Sequence, residues 1–360
     1  RCAWAQGQRG EAHGPGWLSR AHPMAEGEPV LGGATRRHVY ETQWPAFALA
    51  WANCPEPRIR LAVGSYTEQE TNSIQILELR DNKLELAGEV EHPFPPTKLM
   101  WKPDDGELLA SSSTSMNLWK CEGDQVKQVA KLTNSRTRSA AGQQPPITSF
   151  DWSSASGDKI GTSSVDTTCT IWNVEKQKIE TQLIAHDKAV YDIAFATNNS
   201  LFTSVGADGS VRVFDQRNLE HSTIIYETTP HSPLLRVAWN KHNLNHIATI
   251  AMDTCGVILI DIRRPNYALK ELWKPSSCVN AIAWAPHTRN HLLCGASDGT
   301  AFIWDVTEDK TQASGADGTV QREPLLAYEC DHEVYQVQWP ASQPEYVALG
   351  CAKQIEVLQI

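Results

Sequence analysis

The sequence has no apolar run that reaches the roughly 20 residues a membrane-crossing helix needs, and no secretory leader with an apolar core and a small-residue cleavage site. None of its nine cysteines forms a CxxC pair. A structural zinc cluster therefore lacks its usual ligand spacing, and the thiols read as reduced and mostly buried, in cytosol or nucleus. Positive charge is scarce: 32 Lys and Arg stand against 42 Asp and Glu, a formal charge of -10, so gripping phosphate backbones is not the main task. No GxSxG elbow, phosphate loop, HExxH helix or kinase signature gathers the Ser, His and Asp residues into a catalytic set. With 41% hydrophobic and 21% charged residues the chain is neither disordered throughout nor fibrous. These absences predict a folded non-enzyme with no cofactor or metal and no direct contact with nucleic acid or membrane.

What the sequence does have is tryptophan, 13 residues beside only 4 Met and 7 Phe. The indoles recur at an interval, which makes a repeat the first thing to test. A short alternating segment closes on an aromatic at Trp51, Trp101, Trp152, Phe195, Trp239, Trp284 and Trp339, with spacings of 50, 51, 43, 44, 45 and 55 residues. That is the period of one four-stranded propeller blade, and it excludes solenoid repeats of about 33 residues. Each copy continues into a second apolar run and a third that ends on a bulky residue, as at Trp119, Trp172, Phe214, Ile260 and Trp304. Period-two alternation bounded by Gly, Asp, Ser and Asn means strands joined by tight turns. The predicted fold is all-β, a seven-bladed propeller over residues 37–360. HVYETQ at 38–43 has no blade of its own and the last repeat lacks a fourth strand, so pairing the two closes the ring and removes an open sheet edge.

Residues 1–36 lack periodic apolar positions and read as a disordered leader or upstream extension, with Met24 a candidate start. Two polar stretches, about 133–145 and 307–324, read as flexible insertions that lengthen two of the intervals. Asp166, Asp208 and Asp298 each stand six residues before the aromatic of a third strand, where a turn carboxylate accepts hydrogen bonds from backbone or from a histidine. His186 and His332 are the candidate donors. With Trp172 and Trp304 they form predicted structural networks that tie the strands of a blade. His242 with His246, and His287 with His291, have a four-residue spacing but lie in turns, where no helix presents both rings on one face.

These features resemble the WD-repeat family. The WD pair is literal at Trp304-Asp305 and softened at Phe214-Asp215 and Trp172-Asn173. Longer strings, HPFPPTKLMWKP at 92–103, FDQRNLEHSTIIYE at 214–227, PLLRVAWNK at 233–241, AMDTCGVILIDIR at 251–263 and CVNAIAWAPH at 278–287, resemble one subfamily. It comprises the plant WD-repeat regulators of the transparent testa glabra and anthocyanin type and their animal counterpart, which associates with cullin-4 ubiquitin ligases and dual-specificity kinases. The sequence departs from that pattern in the leader, the two insertions, and at Cys255 and Gly256.

The resemblance implies a scaffold on which transcription factors or protein kinases meet, a monomeric subunit of hetero-complexes in nucleus and cytoplasm. It also implies an alternative, a substrate receptor of a cullin-4 ligase. In such receptors an Arg after the third strand meets the adaptor on the bottom rim; Arg217 and Arg263 occupy that position here, and pairing with their own aspartates or facing water is the competing reading. Partners of WD rings usually bind the top, to which the start of each first strand points. Tyr191, Asn280 and Tyr335, four residues before their blades' aromatics, and the neighbouring Arg236 are the candidate contacts, with packing between blades as the alternative.

Overall fold

The computed structural model describes residues 36–54, 58–68, 71–134, 144–198, 200–307 and 323–360. The leader except Arg36, residues 135–143 of the first insertion and 308–322 of the second lie outside the described residues. Every regular element among the described residues is a strand, and the strands form seven four-stranded antiparallel sheets. Blades 1 to 6 are each built from four consecutive strands, spanning 46–93, 98–132, 147–184, 190–227, 234–273 and 279–329. Blade 7 takes three strands from 334–359 and its fourth from the other end of the chain.

That fourth strand is Arg36–Glu41, antiparallel to Gln354–Gln359, with Arg36 opposite Gln359 and Glu41 opposite Gln354. The closure predicted from HVYETQ is present, shifted two residues toward the N-terminus. The hydrophobic residues form seven clusters, and each straddles two consecutive blades. Blade 1 meets blade 2 through Ile74, Ile76, Trp101 and Trp119, and blade 7 meets blade 1 through Leu61, Leu77, Ile355 and Val357. No blade has a core of its own, which is why the repeats fold as one ring.

This packing explains which strands the sequence announces. The inner three strands of a blade lie between two neighbours and are buried on both faces, as in Arg60–Ser65 and Gly256–Asp261. Outer strands face water, and Gln125–Leu132 and Asn218–Glu227 carry mostly exposed residues. Five of the six first-strand indoles are held in two repeating ways, and the Trp51 Nε1 is buried without a hydrogen-bond acceptor. Trp101 and Trp284 donate to the carbonyls of Ala50 and Ala238 in the preceding blade, at 3.3 and 3.0 Å. Trp152, Trp239 and Trp339 donate to Gly157, Leu244 and Pro344 in the turn after their own strand, at 2.9, 2.9 and 2.8 Å. Where Phe214 replaces the third-strand indole, its ring stacks on Phe202 at 4.8 Å. Gly256 has a packing reason: a Cβ there would sit 2.8 Å from the ring of Trp273.

Candidate protein-binding faces

Antiparallel pairing puts the start of each first strand and the turn between second and third strands on one end of the ring, here called the entry face. The turns between first and second and between third and outer strands lie on the opposite, exit face. On the entry face, six of the seven first strands carry a register shift at the same place, between the residues five and three before the closing aromatic. The residue inside each bulge is Phe47, Thr148, Tyr191, Leu235, Asn280 or Tyr335, and all six are partly exposed and follow a buried residue. A bulge leaves one residue outside the ladder and re-aims its side chain. Tyr191 and Tyr335 therefore occupy equivalent bulge positions on the entry face.

The other two candidates there are employed differently. The Asn280 amide donates to Ser297 Oγ and to the carbonyl of Val334 in the next blade, both at 2.9 Å. Thr97 and Thr148 make the same cross-blade bond to Ile147 and Val190, at 2.9 and 2.6 Å. Asn280 thus belongs to a repeated bridge between blades. Arg236 lines the central channel, a space of about 280 Å³ that Lys98, Lys241, Asp151 and Asp192 also border. Its guanidinium donates to the Leu235 carbonyl at 3.1 Å. The two channel carboxylates accept backbone N–H groups from the following blade, Phe195 to Asp151 at 2.7 Å and Val237 to Asp192 at 2.9 Å. Lys241 and Lys98 lie 3.5 Å from them. Neither Asp151 nor Asp192 stood out in the sequence, because their partners are about 45 residues away in the next repeat.

Beneath the entry face, Asp208 and His186 meet. His186 Nδ1 lies 3.0 Å from both Asp208 oxygens and its Nε2 lies 2.7 Å from Ser204 Oγ. Burial alone would raise the Asp208 carboxyl; the hydrogen bond and charge of His186, with the backbone and hydroxyl of Ser210, outweigh it and hold the group well below the usual carboxylate range. Asp166 and Asp298 have no histidine. Asp166 accepts from the Thr168 hydroxyl at 2.7 Å, and Asp298 from the backbone and hydroxyl of Ser276 at 2.6 and 2.8 Å. The indoles complete the blades from within: Trp172 donates to Thr162 Oγ1 at 3.0 Å and Trp304 to Cys294 Sγ at 3.2 Å.

The expectation for His332 is corrected. Its side chain is exposed, and the turn that would supply its carboxylate reads Cys351-Ala352-Lys353-Gln354, without an acid. A histidine the sequence reading passed over does the work in blade 2. His92 bonds Ser111 Oγ at 2.9 Å, and Trp119 Nε1 donates to the same oxygen at 2.8 Å. The HP dipeptide that ends the outer strand of blade 1 was the available signal. The turn of blade 2 has Ser113 where blades 3, 4 and 6 have Asp166, Asp208 and Asp298, so the aspartate spacing from the aromatic was missing.

On the exit face Arg217 and Arg263 adopt one local geometry. Arg217 donates from Nε and Nη2 to Asp215 at 2.9 and 2.6 Å, and Arg263 does so to Asp261 at 3.0 and 2.6 Å. Each aspartate also accepts the arginine's own backbone N–H at 2.9 Å. The hydrogen bond from Arg217 holds the Asp215 carboxyl down at about 2. The pairing with their own aspartates foreseen as the competing reading is present. The side chains nonetheless remain 76% and 62% exposed, so the pairs orient two guanidinium planes outward on adjacent blades.

Comparison with known proteins agrees with this architecture. A family model described as WD domain, G-beta repeat, matches residues 177–215 and 269–305, the stretches that hold His186, Asp208 and the Trp304-Asp305 pair. A Dictyostelium discoideum protein named DDB1- and CUL4-associated factor 7 homolog is 41% identical over 333 residues, covering 90% of this chain and 99% of its own length. The chain belongs to the WD-repeat family. An uncharacterized WD repeat-containing protein of Schizosaccharomyces pombe is 32% identical, with 89% of each chain covered. A WD repeat-containing protein of Saccharomyces cerevisiae is 33% identical over 77% of this chain and 59% of its own length.

Proposed function

We propose that this WD-repeat protein is a non-catalytic scaffold of nucleus and cytoplasm that assembles transcription-factor or kinase complexes on its entry face, with no cofactor. The observation that carries this is the row of bulged first-strand residues. Tyr191 and Tyr335 are partly exposed aromatics fixed on a rigid ring, which suits them to anchor a partner without an ordering penalty. Arg236 at the channel adds a planar donor for an acidic group entering from that side. Asn280 supports the face through its bridge to blade 7. Variants Tyr191→Ala and Tyr335→Ala, combined, are expected to weaken partner binding at least tenfold without loss of fold; unchanged affinity for every partner refutes the reading.

A second reading has its own support. The Dictyostelium relative carries the name of a factor associated with DDB1 and CUL4, and Arg217 and Arg263 stand oriented and exposed on adjacent blades of the exit face. In this reading the chain is also a substrate receptor that docks the cullin-4 adaptor through the two arginines while the entry face holds other proteins. The two roles use opposite faces and can coexist. Binding to purified adaptor that is lost in the Arg217→Ala, Arg263→Ala variant supports it; no binding by the unmutated protein retires it.

A further inference from the structure

The junction of blades 6 and 7, beside the closing strand, holds a cluster that propeller architecture does not require. Cys330 follows the outer strand of blade 6, Leu326–Glu329, and Cys351 ends the second strand of blade 7, Tyr346–Cys351. Their sulfurs are 3.0 Å apart, about 1 Å more than a disulfide bond. Glu356 of the last strand lies against them with its side chain fully buried. The three residues have the composition of a metal site. The carboxylate is already engaged, however: Arg37 donates to its two oxygens at 3.0 and 2.7 Å and the Tyr328 hydroxyl donates at 2.6 Å. A cation would have to break all three bonds and sit beside a guanidinium. The chemistry left to the sulfurs is their reaction with each other.

We propose that Cys330 and Cys351 are a reversible disulfide site, closed by two-electron oxidants of the hydroperoxide class, that locks blade 6 to blade 7. Cys330 is the partly exposed member and Cys351 is fully buried, so the oxidant meets Cys330 first. Its thiolate sulfur attacks one peroxide oxygen, the O–O bond breaks, and the released hydroxide takes up a proton to leave water and Cys330 sulfenic acid. The Cys351 sulfur then attacks the sulfenic sulfur, the S–S bond forms, and the expelled hydroxide combines with the thiol proton as a second water. Two thiols and one hydrogen peroxide thus give one disulfide and two waters, with two electrons passing from sulfur to oxygen. A dithiol returns both cysteines to thiols by exchange and is itself oxidised to a disulfide.

The placement gives the bond a consequence. The loop it closes, 331–350, contains the first strand and most of the second strand of blade 7, and Glu356 beside it holds Arg37 of the closing strand. The lock therefore sits at the junction next to the seam where the two ends of the chain meet. The hydrogen bond from Cys351, then burial, hold the Cys330 thiol well above the ordinary thiol range, which keeps the thiolate scarce and makes this a slow response to sustained oxidant.

The test treats the full chain with hydrogen peroxide under native conditions, alkylates the remaining thiols after unfolding, and maps peptides by mass spectrometry. The expected product has lost the mass of two hydrogens, contains a Cys330–Cys351 linked peptide that dithiothreitol removes, and shows slower hydrogen exchange across 334–351 than the reduced chain. Cys330→Ser should abolish the linkage and leave Cys351 alkylatable. Peroxide-treated wild type in which both cysteines remain alkylatable, or in which another pair links first, overturns the proposal. So does a reduced protein that retains one metal ion in native mass spectrometry and loses it on Cys351→Ser.

Discussion

Replacing Asp208 by alanine tests whether the carboxylate beneath the entry face holds blade 4 together. In the folded protein it accepts bonds from His186 Nδ1 at 3.0 Å, from the Ser210 backbone and hydroxyl at 3.1 and 2.9 Å, and from Arg212 Nη2 at 3.1 Å. The His186 side chain is 0% and the Asp208 side chain 11% exposed, so a histidine without the carboxylate cannot turn to water and keeps only the hydroxyls of Ser210 at 3.2 Å and Ser204 at 2.7 Å. Removing one partner of a buried pair costs about 3–5 kcal/mol. Arg212 retains Asp187 at 2.7 Å on the open side, which places the expected loss at the lower end, about 3 kcal/mol. Asp208→Asn keeps the shape and one acceptor oxygen, so about 1 kcal/mol is expected. Urea unfolding at pH 7 measures both, with an unchanged denaturant slope. The pH dependence fixes the mechanism. Because the fold depresses this carboxyl, its contribution is fully present above the unfolded value near 4 and is lost as pH falls toward the folded value. The gap between wild type and Asp208→Ala should narrow below about pH 4. A loss under about 1 kcal/mol, or a gap that widens in acid, refutes the reasoning.

Arg37→Ala leaves Glu356 buried with Tyr328 as its remaining neutral donor; a loss of about 3 kcal/mol is expected, with faster amide exchange in Arg36–Glu41. Wild-type protection of that strand would show that the ion pair does not secure the closure. Gly209 and Gly123 both have positive φ, 77° and 60°, but a Cβ at Gly209 runs into Thr228 Oγ1 and meets backbone of 231–232 at 2.9 Å, whereas at Gly123 it meets nothing within 4 Å. Gly123→Ala should cost about 1 kcal/mol from backbone strain alone. Gly209→Ala should cost at least twice that by calorimetry; equal losses would mean that the clash is relieved without cost.

The fold was readable because each inner strand packs on both faces and so writes its register in apolar residues, with the aromatic at its end as a marker. The outer strands were not, since Gln125–Leu132 and Lys178–Ile184 face water and carry no such constraint. Site residues divide in the same way. Asp208 and His186 lie 22 positions apart, in blade 4 and the link just before it. Arg37 and Glu356 are 319 positions apart and meet only because the ring closes, and the Cys330–Cys351 pair becomes visible only once blades 6 and 7 are side by side. The entry-face bulges leave no mark in composition, yet they aim Tyr191, Asn280 and Tyr335 out of the ladder. Arg236 shows the limit of counting along a strand: one residue from a bulge position, it lines the channel instead.

The scaffold account is tested most directly by affinity capture from native extract with three forms of the protein, followed by quantitative mass spectrometry. These are wild type, the Tyr191→Ala, Tyr335→Ala pair and the Arg217→Ala, Arg263→Ala pair. The account predicts that the entry-face pair loses one set of co-purifying proteins and keeps the cullin-4 adaptor, while the exit-face pair loses the adaptor and keeps that set. Identical captured proteins, in identical amounts, from all three forms would contradict it.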